Sequence, residues 1–451
     1  MAYRHDQEID HLYSTILETY SIPSENYSKF EVKRGLRNLD GSGVLAGLTK
    51  VSEVQGYIIS QDEKVPVDGT LAYRGYDIGD LVENCNVGGR YRFEQVCFLL
   101  LEGRLPSSQD EFDEFLEFLN ESSTLPDSFT EDMILKQPSK DIMNKLARSV
   151  LTLYSYDEDP DNCEIRNILR QSVQLIAQMP ILGAYAYRAK RHYFDGSSLI
   201  LHSPKREFSI AENLLRMLRS NKTFDPQEAE ILDLALMLHA EHGGGNNSTF
   251  TCRVLSSSGT DTYGAIAAAI SALKGPRHGG ANAKVIQMFD HIKANVNEWT
   301  DEQEVYDFLT KIVRKEAFDH SGLIYGMGHA VYTSSDPRAV ILKEKARILA
   351  EKTGNLEEFN LYELVERLGK EVLKNEKDPT KVVCANVDFY SGFVYRMLNI
   401  PPEMFTPIFA MARVAGWCAH RIEEVISGGR IIRPAYKAIC KGGSKKVNED
   451  K

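Results

Sequence analysis

A chain of 451 residues, 43 % apolar and 26 % charged, can bury a large core and is expected to hold two or three domains. Its net charge of −11, with no basic stretch set against it, argues against a nucleic-acid or anionic-membrane partner. The seven cysteines are scattered and lack a C-x-x-C pair, which fits a reducing cytosol better than a disulfide scaffold or a zinc module.

In chain order, residues 1–20 read as a short, polar, amphipathic helix without the pattern of a signal or transit peptide, so a cytoplasmic protein is expected. Residues 21–48 are irregular and glycine-dotted. Gly41, Gly43 and Gly47 miss the G-x-G-x-x-G spacing, and no strand–helix alternation surrounds them, which argues against a Rossmann domain. The segment VPVDGTLAYRGYDIGDL predicts a small β-hairpin. Beyond it, apolar residues recur at steps of three and four, predicting helices over 93–101, 109–119, 142–153, 165–187 and 207–218. No repeat of fixed period appears, which counts against a solenoid.

A further helix is marked by Asp225 as cap, Pro226 at its first position and Glu228 completing a capping box. Ile231, Leu234, Ala235 and Leu238 form its apolar stripe. His239 and His242 are expected to continue that face inward before Gly243-Gly244-Gly245 ends the run. Two readings stand there: a pair of satisfied core histidines, or a metal pair. The metal reading lacks both the HExxH spacing and an evident third ligand. Next comes an alanine-rich helix over 263–273, whose small residues imply a crowded central position. It is too short to cross a membrane. His278 follows Gly275-Pro276 and precedes a helix expected from Ala281. A helix N-terminus opposes a positive charge there, so a neutral imidazole would be a hydrogen-bond donor to a developing oxyanion.

After Asn282 the helices become charged and surface-like. Thr300 is read as a cap with Gln303 in the capping-box position, and Val305, Phe308, Leu309, Ile312 and Val313 as the stripe beyond it. Another helix starts at Asp336-Pro337, and a third, over 362–373, follows Asn360. The apolar helix over 407–426 returns to the main core, and residues 441–451 read as a tail. The expected architecture is all-α and two-domain. Residues 1–280 and 389–451 form a large helical domain, and 281–388 form a smaller helical domain inserted into it.

Several polar residues fit packing poorly. Arg413 shares a helix face with Phe409, Gly416, Trp417 and His420, and a buried guanidinium needs an anion, from within the protein or from a ligand. Arg338 stands in the first turn of a helix, where a cation is unfavourable. His329 lies just before it in GMGHAVY. Asp388 is either an N-cap or a base at a domain junction. Arg433, after Gly428-Gly429 and before Pro434, sits on an extended arm suited to reaching another subunit. Converging arginines suggest a small substrate with more than one carboxylate. A neutral His278 and a carboxylate suggest proton abstraction beside a carbonyl.

The motifs HAEHGGGNNSTF, GPRHGGAN, GMGHAVYTSSDPR, NVDFYSGFVYRML and FAMARVAGWCAHRIEE, in that order, resemble the citrate synthase family over residues 32–438. The resemblance implies an all-helical, two-domain homodimer that forms citrate from oxaloacetate and acetyl-CoA, with no cofactor and no metal. It implies that Asp388 takes the methyl proton, that His278 donates to the thioester oxygen, and that His329 polarises the ketone. His242, Arg338, Arg413 and, from the second subunit, Arg433 would hold oxaloacetate, with His239 and Asn246 behind them. One departure is that Ala330 and Thr333 occupy places where many relatives carry an arginine for CoA phosphate. The alternatives are a 2-methylcitrate synthase using propionyl-CoA, a metalloenzyme, and a non-catalytic helical protein of the same fold.

Overall fold

The computed structural model describes residues 20–439 except 39, 61–62, 86–89 and 381, together with positions 9, 13, 16 and 17. The helix expected over 1–20 falls almost wholly outside the described residues, and the tail from 441 lies outside them entirely. The chain divides into two compact units, Met1–Leu48 and Thr49–Lys451. The first holds a short helix, α1 (Ser24–Lys29), a 3₁₀ turn (Arg34–Leu36) and the Arg37–Gly43 bridge. Asp40 closes the turn between the bridged residues by accepting from the Ser42 amide at 2.9 Å.

The second unit opens with an antiparallel sheet of β1 (Ser52–Ser60), β2 (Glu63–Tyr73) and β3 (Tyr76–Asp77) in sequential order. The expected hairpin is therefore a three-stranded sheet whose first strand begins upstream of the predicted segment. A bulge at Gly56 shifts the register between Gln55 and Tyr57. A Cβ on Gly56 would lie 2.7 Å from Tyr332 Cα, and one on Gly69 would lie 2.1 Å from Ser335 O. Both glycines let the sheet's backbone lie directly on the 331–335 loop.

The remaining regular elements are helical. They are α2 (Ile78–Asn84), α3 (Arg92–Glu102), α4 (Gln109–Ser122), α5 (Ile142–Leu153), α6 (Ile165–Asp195), α7 (Ile210–Leu218) and α8 (Pro226–His239). Then come α9 (Asn247–Ser257), α10 (Thr262–Lys274), α11 (Ala281–Asn295), α12 (Glu302–Val313), α13 (Pro337–Thr353), α14 (Leu356–Glu376), α15 (Val387–Met397) and α16 (Phe405–Ile426). The all-α expectation holds. The capping box of α8 forms as read, with Asp225 and Glu228 each accepting from the other's end of the turn.

Local details differ where a stronger cap or more packing was available. Asp301 caps α12 in place of Thr300, its ionised oxygen accepting from the amides of Gln303 and Glu304. Asn360 lies inside α14, which starts at Leu356 because Phe359 and Leu361 are buried with the rest of its stripe. Helix α8 ends at His239, so His242 stands beyond the helix in the turn before Gly243, whose φ is +84°.

Helix α16 is buried along most of its length against α3, α6, α8, α9 and α10. The small residues of α10 let it pack on α5 and α9. Helices α11 to α15 pack among themselves, and α13 also touches α2, β2 and α8. That contact brings the first turn of α13 to the end of α8.

Candidate active site

The site is assembled where α8 ends. Tyr73 on β2 places its hydroxyl 3.1–3.3 Å from the carbonyls of Met237, Leu238 and Glu241, closing off the end of the helix. Past this cap, His242 is 7 % exposed, and its ring stands edge-on to His329 with centroids 5.0 Å apart. Its Nε2 has no partner among the described residues. His239 is fully buried on Phe409 with both ring nitrogens unpartnered. Burial, aided by the charges of Arg338 and Arg413, holds both imidazoles well below the usual histidine pKa. Neither is therefore a satisfied core histidine. No group of three His, Cys, Asp or Glu side chains forms a metal-ligand set among the described residues.

His278 occupies the turn between α10 and α11. The helix N-terminus that meets it belongs to α9, where the Ser248 amide lies 3.3 Å and the Ser248 hydroxyl 3.0 Å from His278 Nε2. An amide can only donate, so Nε2 is the acceptor and the proton of the neutral ring sits on Nδ1. Burial, followed by the charge of Arg413, lowers the pKa of His278 to about 4. The Ser248 hydroxyl also meets Asn246 Oδ1 at 3.0 Å and accepts from Trp417 Nε1 at 3.2 Å, which fixes the support behind the ring.

His329 lies in a loop tied to the segment that leads into α15. Gly328 N donates to Cys384 O, Asn386 N to Gly326 O, and Asn386 Nδ2 to Gly328 O, at 2.7, 2.8 and 2.9 Å. These bonds set His329 beside the start of α15. His329 Nδ1 accepts from the amides of Val331 and Tyr332 at 3.1 and 3.2 Å, so in its neutral form the proton is on Nε2. Tyr332 stacks on its ring at 4.8 Å.

Asp388 lies in the first turn of α15, whose N-cap is Asn386. No hydrogen-bond donor meets the Asp388 carboxylate among the described residues. Burial raises its pKa to about 6, partly offset by Arg338 and Arg413. A helix N-terminus would favour the carboxylate by roughly 0.3–1 kcal/mol, less than the burial term, so burial prevails.

Arg338 is 2 % exposed and forks onto Asp336 through Nε and Nη2 at 3.0 and 2.8 Å. Burial opposes its charge, yet Asp336 keeps it firmly protonated. Asp336 caps α13 as well, which explains a cation in a helix's first turn. Arg413 is different. It is fully buried over Phe409, and only its Nε is satisfied, by His239 O at 2.6 Å. Nη1 and Nη2 have no partner among the described residues. Burial lowers its pKa to about 10, with Glu241 pulling the other way. No salt bridge answers this guanidinium among the described residues.

The charges of Arg338 and Arg413 thus act together on His239, His242 and Asp388, that of Arg413 acts on His278, and His242 meets His329, with Asn246 behind His278. Arg433 stands apart: it is exposed on the extended segment after α16, where Ile432 N donates to Ser257 Oγ at 3.0 Å. Sequence reasoning missed Glu241, Ser248, Tyr332 and Asp336. The glutamate between two inward histidines and the aspartate two residues before Arg338 were the available signals. Beside His329 opens a cavity of about 550 Å³ bordered by Pro66, Met327, Tyr332, Thr333 and Val383. No lysine or arginine is among its described lining residues.

A family model described as Citrate synthase, C-terminal domain matches residues 38–435. A citrate synthase of Corynebacterium glutamicum is 35 % identical over 373 residues, covering 81 % of this chain and 79 % of its own. A 2-methylcitrate synthase 1 of the same organism is 32 % identical over 422 residues, covering 91 % and 97 %. The crystal structure of citrate synthase from Pyrobaculum aerophilum matches with a TM-score of 0.73 at 30 % identity, over 90 % of this chain and 93 % of that one.

Proposed function

The chain belongs to the citrate synthase family, and from that premise we propose that it is an acyltransferase condensing acetyl-CoA with oxaloacetate. The citryl thioester is then hydrolysed to citrate and CoA. The observation that carries this reading is a carboxylate whose pKa burial raises to about 6, under the same Arg413 charge that acts on His278, together with two imidazoles, His278 and His329, whose N–H positions are fixed by backbone amides.

Asp388 accepts a proton from the methyl carbon of the acetyl group. His278 Nδ1–H hydrogen-bonds the thioester oxygen as that oxygen gains charge, a role that suits a ring with a pKa of about 4. The resulting enolate carbon attacks the ketone carbon of oxaloacetate. His329 Nε2–H hydrogen-bonds the ketone oxygen, which takes up one proton to become the hydroxyl of the product, in balance with the proton Asp388 removed from the methyl carbon. Water then adds to the thioester carbonyl, the C–S bond breaks, and CoA leaves as its thiol. Arg413, Arg338 and His242 hold the oxaloacetate carboxylates, with His239 and Asn246 supporting them. Acetyl-CoA enters as substrate, and no cofactor takes part.

The assembly we propose is a cytoplasmic homodimer in which exposed Arg433 reaches the site of a second copy. Its role would be the condensing step of the tricarboxylic acid cycle. Residues 1–280 and 389–451 act as the large domain and 281–388 as the small one; α14 packs on α12 and α13 within the small part, while α15 packs on α11 and α13 across the boundary. Closure of the two on oxaloacetate would exclude water from the enolate. Among the described residues no helix is long and apolar enough to cross a membrane.

The test is CoA thiol release with oxaloacetate and either acetyl-CoA or propionyl-CoA. Faster release from acetyl-CoA supports the assignment. A preference for propionyl-CoA moves the chain to 2-methylcitrate synthesis, and no oxaloacetate-dependent release with either refutes the condensation reading.

A further inference from the structure

Glu241 takes no part in the chemistry derived above, yet it is fully buried between His239 and His242. Its Oε1 accepts from Ser52 Oγ at 2.9 Å, from His420 Nε2 at 2.8 Å and from the Gly243 amide. Behind it, His420 Nδ1 accepts from Arg253, whose guanidinium is held in turn by Glu423 and Glu424. His420 thus presents an N–H to the carboxylate. The other oxygen, Oε2, has no partner among the described residues. It lies where a Cβ on Gly416 would come within 2.2 Å, so only glycine leaves it room.

One turn of α16 before Gly416 stands Arg413, whose Nη1 and Nη2 also lack partners. The interior therefore holds a carboxylate and a guanidinium that feel each other's charge without closing a hydrogen bond between them. A buried guanidinium without any anion costs several kcal/mol. Glu241 contributes the largest negative charge that lets Arg413 remain charged in the empty site, with Asp388 adding a smaller one.

Resting on the oxaloacetate reading of the site, we propose that Glu241 is a positioning residue. It serves as the resident counter-charge of Arg413 and offsets that charge until a substrate carboxylate arrives. The Arg253–His420 chain holds it in place. The two negative groups compete for one cation, so Glu241 stabilises the empty site and weakens the filled one.

Glu241→Gln separates charge from shape, because the amide keeps an oxygen for Ser52, Gly243 and His420. In the holoprotein, this variant should unfold at a lower temperature without ligand yet show a larger upward shift with oxaloacetate. Its KM for oxaloacetate should fall by about tenfold or more, tenfold being the effect of one charge about 12 Å away at an effective dielectric of about 20 and a nearer charge doing more. Glu241→Asp keeps the charge and should stay within about threefold of wild-type affinity by the same argument.

A KM that rises together with the loss of stability in Glu241→Gln would reduce Glu241 to a structural role and overturn the proposal. If that variant does not fold, an affinity gain in Glu241→Asp overturns it equally, and wild-type-like affinity there supports it. Absence of any oxaloacetate-induced shift in the wild type removes the site reading itself and this inference with it.

Discussion

The raised pKa of Asp388 makes a prediction that links stability to activity. The carboxyl titrates near 6 in the folded protein, against an ordinary 3.8. Between those values the folded state binds a proton that the unfolded state has released, so stability falls as pH rises through the window and levels off above about 6. Two pKa units correspond to roughly 3 kcal/mol, and this already includes the pull of Arg338 and Arg413. Asp388→Asn keeps the shape and removes the titration. Relative to this variant, the wild type should be about 1 kcal/mol less stable at pH 4.5 and about 3 kcal/mol less stable at pH 8. At ~2.1 cal/mol/K per residue, a chain of 451 residues has an unfolding entropy of ~1 kcal/mol/K, so the gap is about 3 °C in Tm. Thermal unfolding of both proteins at fixed concentration, at pH 4.5 and pH 8, measures it. The variant should also have lost its thiol-release activity. A gap that does not change with pH, or a variant less stable than wild type at pH 8, would refute the burial argument.

Other substitutions test the remaining parts. His278→Ala should lower kcat by about 10²–10³, the usual consequence of deleting one oxyanion donor; a change of less than threefold would remove His278 from the reaction. Gly416→Ala places a methyl 2.2 Å from Glu241 Oε2 and 2.5 Å from Ala240 O. It should destabilise the protein by at least about 1–3 kcal/mol, and an unchanged Tm would contradict the close approach of α16 to the end of α8. Arg433→Ala and Asp388→Ala, unfolded and refolded together in equal amounts, should recover about a quarter of wild-type activity if each site borrows Arg433 across a two-fold axis. Recovery no higher than the parents' average would place Arg433 in its own subunit's site or outside it.

Much of the molecule was legible because local signals and burial agreed. Helices α3, α5, α8 and α10 begin within a residue of their predicted positions, since each combines a clear apolar stripe with a cap or a preceding turn. Where two caps competed, ionised Asp301 prevailed over the neutral hydroxyl of Thr300, and spacing alone does not weigh charge. The upstream strand β1 was missed, although its partner β2 follows directly in sequence, because a glycine in mid-strand reads as a break. Its Gly56 serves a contact with residues 331–332, far along the chain.

The site was legible as a set of misfit residues, and its wiring was not. Histidines and arginines on apolar faces announce themselves, but spacing cannot say which nitrogen of a ring faces an amide. His278 was expected to feel the helix that follows it, and the α9 amide of Ser248 is what fixes its proton. Arg338 looked unpaired in sequence because its partner Asp336 reads as a cap; the carboxylate does both. Glu241 was passed over because a glutamate at a helix end before a glycine turn reads as a surface residue, although the two inward histidines around it pointed to burial.

The opposite tautomers of His278 and His329 have a calorimetric consequence. Each ring has an amide behind its acceptor nitrogen, with the remaining nitrogen left to carry the donor. His239, His242 and His278 are neutral well above their lowered pKa values, and Asp388 is ionised above about 6. At pH 8 the site is already in the protonation state that receives oxaloacetate, so binding should neither take up nor release a proton. The heat of binding should then be the same in phosphate as in Tris, two buffers whose ionisation enthalpies differ widely.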